Sequence, residues 1–445
     1  MPSAVPALPP PALLDPLEGL VGELVAVLDP TPPATAPARG RPPVLPGLLL
    51  WSGLLVCVLR GFSSQLDLWR LLSGTGLWHF PKVAISDDAV YKRLERTGAA
   101  AMERLFADLT LVLSARLDAH ADRTLAPFAS EVYAIDETTL DPVARKLPPL
   151  RAVPKGDDRL LPGKLAGVFD VRRQLWRTIV HLADPRQNEK VAARGLVADL
   201  PVGCLLLFDL GYFAFEWFDD LTDAGRWWVS RLREKTSFEL LHVFYEEGET
   251  LEALVWLGKH RADRAKHVVR LVQFRQGGTL FRYVTNVRAP RDLPLAEIAR
   301  LYARRWDIEM AIDLVKTELG LHLLWSAKEA VILAQVWAVL TIAQVLQGLR
   351  VLVAVTAGVP VFDVSLPLLV RYLPQYARRG LDPIAAFVAD GVRLRFLRAS
   401  RRTRIVAPTI PAEALRAPPK GLVLDRRPRY AHRKCGPRAP AMAAA

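Results

Sequence analysis

Two apolar runs in this chain each lead into an aspartate, and that pairing narrows the folds open to it. In EVYAIDETTL, Val132-Tyr133-Ala134-Ile135 leads to Asp136; in CLLLFDLGYF, Leu205-Leu206-Leu207-Phe208 leads to Asp209. Both read as buried strands closed by an acid. A carboxylate there is costly unless it is paired or metal-bound, and strand ends in α/β sheets are where ligand groups gather. Between the two lie KLAGVFDVRR and LWRTIVHLAD, which read as strands joined by a short turn, and NEKVAARGLVADL, which reads as a helix. Strand, strand, strand, helix, strand predicts an α/β layer architecture. Each aspartate taken alone has a plainer reading as a turn or cap residue, and Asp170, Asp184, Asp219, Asp220 and Asp313 show how common such acids are here.

The stretches around this core differ in character. Residues 1–46 hold 13 of the 35 prolines and read as a flexible arm, with a short helix at 12–28. Residues 47–125 repeat apolar side chains at helical spacing, and Ser86 offers a cap to AVYKRLERTG. Lys92, Arg93 and Arg96 on that helix read either as DNA contacts or as a solvated basic face. Residues 126–325 form the core segment. Within it, RWWVSRL, ELLHVFYEE, ALVWLG, HVVRLVQF and LFRYVTNV give five strand-like runs, which predict an inserted antiparallel sheet at about 224–290. A long helix is expected over 295–319, ending at Gly320. Residues 326–398 read as helical, and 399–445, with Arg401, Arg402 and Arg404, as a basic, partly disordered tail.

The long helix carries a second constraint. In YARRWDIEMAIDLVK, Tyr302, Arg305, Glu309 and Lys316 fall within roughly 60° of one another on an ideal α-helix, over about 21 Å. A carboxylate can hold a hard metal ion and the cations can hold phosphate. The competing reading is an ordinary i,i+4 pair between Arg305 and Glu309. Two strand-end aspartates with the helix glutamate would make an oxygen cage for two Mg²⁺ ions, the arrangement of two-metal phosphoryl transfer.

Charge agrees with a polyanionic partner. Lys and Arg number 59 against 46 Asp and Glu, for a net +13 and a pI near 9.8. The bland account is an arginine-rich compositional bias. Three cysteines and eight histidines show no metal-ligand spacing, so neither a disulfide framework nor a zinc site is expected. No basic start followed by an apolar core marks a secretory signal. Residues 330–349 are apolar enough for a membrane span, but Gln335, Gln344 and Gln347 interrupt them and favour a buried helix. A cytoplasmic protein without a membrane partner is the expectation.

The order of these motifs resembles the DDE transposases of bacterial insertion sequences, in particular the IS-four family. Ile135-Asp136-Glu137-Thr138-Thr139 matches the family's I-D-x-T-T, and Asp209-Leu210-Gly211-Tyr212-Phe213 its second Asp before x-G-Y/F. Tyr302, Arg305, Glu309 and Lys316 match Y-x2-R-x3-E-x6-K in full, with Arg305-Trp306 and Ile308-Glu309 fitting the RW-x-IE run. The likeness covers about residues 125–325. Leu210 stands where an Arg is frequent, and Met310-Ala311-Ile312-Asp313 where a Phe-Lys run is commoner.

The resemblance implies a ribonuclease H-like mixed-sheet catalytic core with a β insertion between the second and third acids, flanked by N- and C-terminal helical regions. It implies Asp136, Asp209 and Glu309 as ligands of two Mg²⁺ ions, with Mn²⁺ as an alternative, and Tyr302, Arg305 and Lys316 as phosphate contacts. It implies double-stranded DNA partners, namely terminal inverted repeats and target, and a dimer in the paired-end complex. The setting would be the cytoplasm of a bacterium, on the nucleoid when DNA is bound. In some relatives an insertion aromatic receives a flipped base; Phe281 and Tyr283 stand at the equivalent place, with Phe281 the candidate, core packing the simpler account, and Trp227 and Trp228 rivals. A ribonuclease H-like nuclease without strand transfer and a silent transposase-derived DNA-binding protein are the alternatives.

Overall fold

A computed structural model describes Val25 and residues 44–62, 64–77, 81–140, 163–259, 263–321, 324–326, 328–400 and 406–430. The short helix expected at 12–28, most of the Pro-rich arm, and Arg401, Arg402 and Arg404 lie outside these residues. In chain order the helices are α1 (Gly47–Leu59), α2 (Gln65–Arg70), α3 (Asp87–Thr97), α4 (Ala100–Arg116), α5 (Glu189–Ala198), α6 (Phe215–Asp223), α7 (Leu295–Arg304), α8 (Trp306–Asp313), α9 (Glu329–Ala357), α10 (Leu366–Arg378) and α11 (Pro383–Ala389). The strands are β1 (Val132–Thr139), β2 (Lys164–Asp170), β3 (Leu175–Leu182), β4 (Leu205–Phe208), β5 (Trp227–Arg231), β6 (Phe238–Glu247), β7 (Thr250–Leu257), β8 (Val269–Gln276) and β9 (Thr279–Thr285). The result is a mixed α/β protein. Its chain folds as two compact units, one of Met1–Arg123, Tyr133–Asp199 and Arg305–Thr403, the other of Thr124–Val132, Leu200–Arg304 and Arg404–Ala445.

In the first unit, β1 pairs antiparallel with β2, and β2 with β3. Ser86 caps α3, its hydroxyl accepting from the Ala89 N–H at 3.3 Å. The centre of this unit is α9, a helix long and apolar enough to cross a membrane yet mostly covered by the protein. Burying a glutamine in such a helix requires partners for its amide. Gln344 has them: its Oε1 accepts from the Trp176 N–H at 3.0 Å, and its Nε2 donates to Thr110 Oγ1 at 2.7 Å and to the Trp176 carbonyl at 3.0 Å. One amide thereby ties α9 to α4 and to β3. Phe106 and Trp337 pack beside it with ring centroids 5.4 Å apart, and Leu117, Leu175 and Val351 form a further apolar cluster.

In the second unit the strands run in the order β4-β5-β9-β8-β7-β6. β6 to β9 pair antiparallel throughout, but β5 is antiparallel to β9 on one side and parallel to β4 on the other. RWWVSRL, the first of the five strand-like runs, therefore does not belong to a wholly antiparallel insertion. A parallel partner requires a crossover, and α6 supplies it between β4 and β5.

Residues 406–430, within the stretch expected to be a basic, partly disordered tail, are laid along the second unit. Leu424 accepts from the Val268 N–H at 2.9 Å, and Phe244 from the Arg416 N–H at 2.9 Å. Arg426 Nε donates to the Ala265 carbonyl at 2.9 Å, and its guanidinium lies 4.6 Å from the Trp256 ring centroid. His267 sits between Asp425 and Asp223, at 2.5 and 2.8 Å. Apart from a 3-10 turn at Ala412–Ala414 the segment has little regular structure of its own; the order comes from partners far away in sequence.

Candidate active site

Asp136 is the fifth residue of β1, not the residue after it. The ladder to β2 continues past it, with Glu137 opposite Ala166, Thr138 opposite Leu165 and Thr139 opposite Lys164. β-Branched threonines favour that continuation. What changes at Asp136 is burial: the four residues before it are buried and the four from Asp136 onward are half-exposed. The side chain accepts the Glu137 N–H at 2.8 Å.

Opposite Asp136 stands Gly167. A Cβ there would meet the Trp176 ring at 2.7 Å, so the missing side chain is what admits the indole. Asp136, Thr138, Gly167, Trp176 and Lys316 line one cavity of the first unit, with Ile312, Val315 and Leu340 as apolar walls. An acid from a strand and a lysine from a segment almost two hundred residues later thus share a pocket.

Lys316 reaches it from a π-helical turn, Leu314–Glu318. The Leu319 N–H donates to the Leu314 carbonyl at 2.9 Å, a five-residue spacing. The four-residue face expected on one uniform helix is divided accordingly: Tyr302 on α7, Arg305 at the joint, Glu309 on α8 and Lys316 on the wider turn. Such turns carry more residues than 3.6 per revolution, so angles computed for an ideal helix do not carry through them.

Glu309 is gripped by Arg305, whose Nη2 lies 2.6 Å from its carboxylate. The Arg305 side chain is 6% exposed and Glu309 33%, so the carboxylate can still meet solvent. Arg305 also lies over the Trp306 ring, 5.4 Å from its centroid. Asp307, two residues before Glu309, accepts from Gln174 Nε2 at 2.8 Å, and Gln174 has a left-handed backbone (φ 59°).

Asp209 belongs to the second unit. It directly follows β4 and opens the 3-10 turn Leu210–Tyr212, which the Tyr212 N–H closes onto the Asp209 carbonyl at 3.2 Å. Phe208, buried just before it, is packed by Tyr212, Trp217 and Phe218. Tyr302 is also buried here: its hydroxyl donates to the Phe208 carbonyl at 3.2 Å, and its ring lies 4.8 Å from that of Tyr283. Leu210, where the family often has an Arg, is met by Arg233, which donates to its carbonyl at 3.0 Å.

The other candidates are spread more widely. Phe281 stacks on Phe274 with centroids 5.3 Å apart and 18° between planes, which is the packing account. Trp228 is fully buried and stacked on Phe218 at 4.1 Å, and Trp227 meets Phe128 edge-on. Lys92 and Arg96 are exposed on α3, Lys92 in a 2.8 Å pair with Asp88, and Arg93 is half-buried.

Sequence reasoning missed three contributors. One is the buried pair Lys164–Glu137, 2.5 Å apart beside Asp136; burial pushes the Glu137 carboxyl above its ordinary range, against the pull of Lys164. The others are Arg233 and Gln174, ordinary polar residues whose places follow only from the fold. As to metal, three carboxylates are the hard oxygen donors that Mg²⁺ and Mn²⁺ take. Among the described residues no three His, Cys, Asp or Glu side chains are grouped as a cation site, and Glu309 is engaged by Arg305.

Residues 131–345 match the family model of the transposase DDE domain. That span contains Asp136, Asp209 and Glu309, and the match supports a DDE transposase. No curated protein matches the chain. Among solved structures, the piggyBac transposase synaptic complex with hairpin DNA, determined by cryo-EM, is similar with a TM-score of 0.39 and 8% identity, over 86% of each chain.

Proposed function

We propose that this chain is a DNA transposase of an IS-four-type insertion sequence. It would bind the terminal inverted repeats, bring two ends together as a dimer, cut them and join them to target DNA. The observation that carries the proposal is that the matched span 131–345 holds all three motif acids, with Asp136 sharing a cavity with Lys316 and Glu309 held by Arg305. Asp136, Asp209 and Glu309 would hold two Mg²⁺ or Mn²⁺ ions, which supply Lewis-acid polarisation of the phosphate and activation of the attacking hydroxyl.

The chain's own groups do the rest. Lys316 lines the same cavity as Asp136, and its ammonium would stabilise negative charge on a transferred phosphate. Arg305 can turn its planar fork from Glu309 to a phosphate, because both are oxyanion partners of the same geometry. Lys92 and Arg96 on α3 offer exposed positive charge to a DNA backbone. The bacterial cytoplasm is the setting this reading requires.

The test uses a duplex bearing the element's terminal repeat. With Mg²⁺ the protein should cut it and join the new 3′ end to a second DNA, and Asp209→Ala should bind the end but not cut. Cutting without joining would identify a nuclease; binding without cutting, a silent derivative. Normal cutting by Asp209→Ala would remove the metal assignment.

A further inference from the structure

We propose that a large cavity of the second unit, whose lining contains none of the motif residues, is a binding site for single-stranded DNA. Its floor is apolar, formed by Phe244 of β6, Leu254 of β7 and Leu415, Leu422 and Leu424 of the C-terminal segment. Pro290 and the pair Pro418-Pro419 add rigid walls. Its volume is about 540 Å³, and it opens to solvent.

The charge around the cavity selects the chemistry. Arg288, Arg291 and Arg416 line it and are all exposed, and no Asp or Glu is among its lining residues. Asp292, the neighbouring acid in sequence, lies in the field of the buried Arg270. Three guanidiniums beside an apolar floor fit a ligand with anionic groups on one side and flat apolar faces on the other. A single strand presents its phosphates and its bases in that way, whereas a duplex hides the base faces in its stack. An acidic peptide would satisfy the arginines and leave the floor wet.

The wall that completes the cavity is held in place before any ligand arrives. The bonds from Val268 to Leu424 and from Arg416 to Phe244, the His267–Asp425 contact and the Arg426–Trp256 stack fix the C-terminal segment on both sides of Leu422. Binding then need not order that wall, which removes part of the usual entropy cost. The choice of a polynucleotide rests on the DNA reading proposed above; the cavity and its charge do not.

The experiment measures binding alone, without a divalent metal, using the full chain and a labelled oligothymidylate beside a duplex of equal length. The triple variant Arg288→Gln, Arg291→Gln, Arg416→Gln should bind the single strand about tenfold more weakly, with a log–log salt slope shallower by about two. Duplex binding should be unchanged. Leu422→Asp, whose side chain is only half-buried, should also weaken single-strand binding; circular dichroism and melting identify any variant that has merely lost its fold. Equal single-strand affinity in the folded triple variant overturns the proposal. So does an equal loss for single strand and duplex, or displacement of the oligonucleotide by polyglutamate at matched charge. Asp209→Ala should retain this binding. Single-strand binding without cleavage would therefore count against the transposase reading and not against this site, and the converse result would do the opposite.

Discussion

The hydroxyl of Tyr302 donates to the main-chain carbonyl of Phe208 across 3.2 Å. Phe208 is the residue before Asp209, so a side chain of α7 holds the strand end that presents the second motif acid. The resemblance implies a phosphate contact for Tyr302, whereas the structure gives its phenol a buried protein partner. The two roles separate in Tyr302→Phe. Loss of one hydrogen bond should lower stability by about 1 kcal/mol, reduce cleavage, and leave affinity for DNA ends within about twofold. A fall in end affinity as large as the fall in cleavage rate would instead make Tyr302 a DNA contact.

Arg305 has two partners to serve. Arg305→Ala should weaken end binding and cleavage together, and because the side chain is only 6% exposed its truncation should also lower stability by about 1.5–3 kcal/mol. Arg305→Lys keeps the charge without the fork and should fall between. Gel-shift and cleavage assays on the three proteins check the order, and a lysine variant equal to the parent in both would remove the bidentate role.

Glu137 gives a pH signature. Burial raises its carboxyl pKa above 4.5 despite Lys164. The folded state therefore keeps this proton to a higher pH than the unfolded chain does. The favourable contribution is complete below about pH 4.5 and declines as the pH climbs through the raised value. Glu137→Gln, which retains an oxygen for Lys164, should gain on the parent across that interval and match it in more acidic solution. Urea midpoints measured against pH read the difference; a gap that shrinks with rising pH contradicts it.

Gly167 leaves room for an indole. In Gly167→Ala the new methyl would sit 2.7 Å from the Trp176 ring, and overpacking of this kind costs about 1–3 kcal/mol. Because Trp176 lines the cavity of Asp136 and Lys316, cleavage should fall as well. Denaturation and cleavage assays on one preparation suffice, and unchanged values for both would mean that the ring moves aside freely.

The strands were legible because each couples an apolar run to a clear turn. β2 and β3 are the runs expected on either side of Arg172-Arg173, and α9 is the buried helix that its glutamines indicated. Local pattern could not show where pairing stops, so Asp136 was expected after β1 and stands inside it. Nor could it show that β5 takes β4 as a parallel partner, or that a π turn carries Lys316. The segment 406–430 was illegible for a different reason. Its extended, proline-rich sequence has no period, and its order depends on His267, Val268 and Phe244, more than a hundred residues earlier.

Helix α9 has a consequence for how the chain matures. It packs against α1, α3 and α4, yet it is synthesised more than two hundred residues after them. At roughly 5–20 residues per second, the early helices wait many seconds on the ribosome without the apolar partner that buries them. Nascent chains stopped before Glu329 should be cut rapidly by protease within residues 47–116, and chains that extend past Ala357 should be protected. Helices made early thus owe their burial to one made more than two hundred residues later.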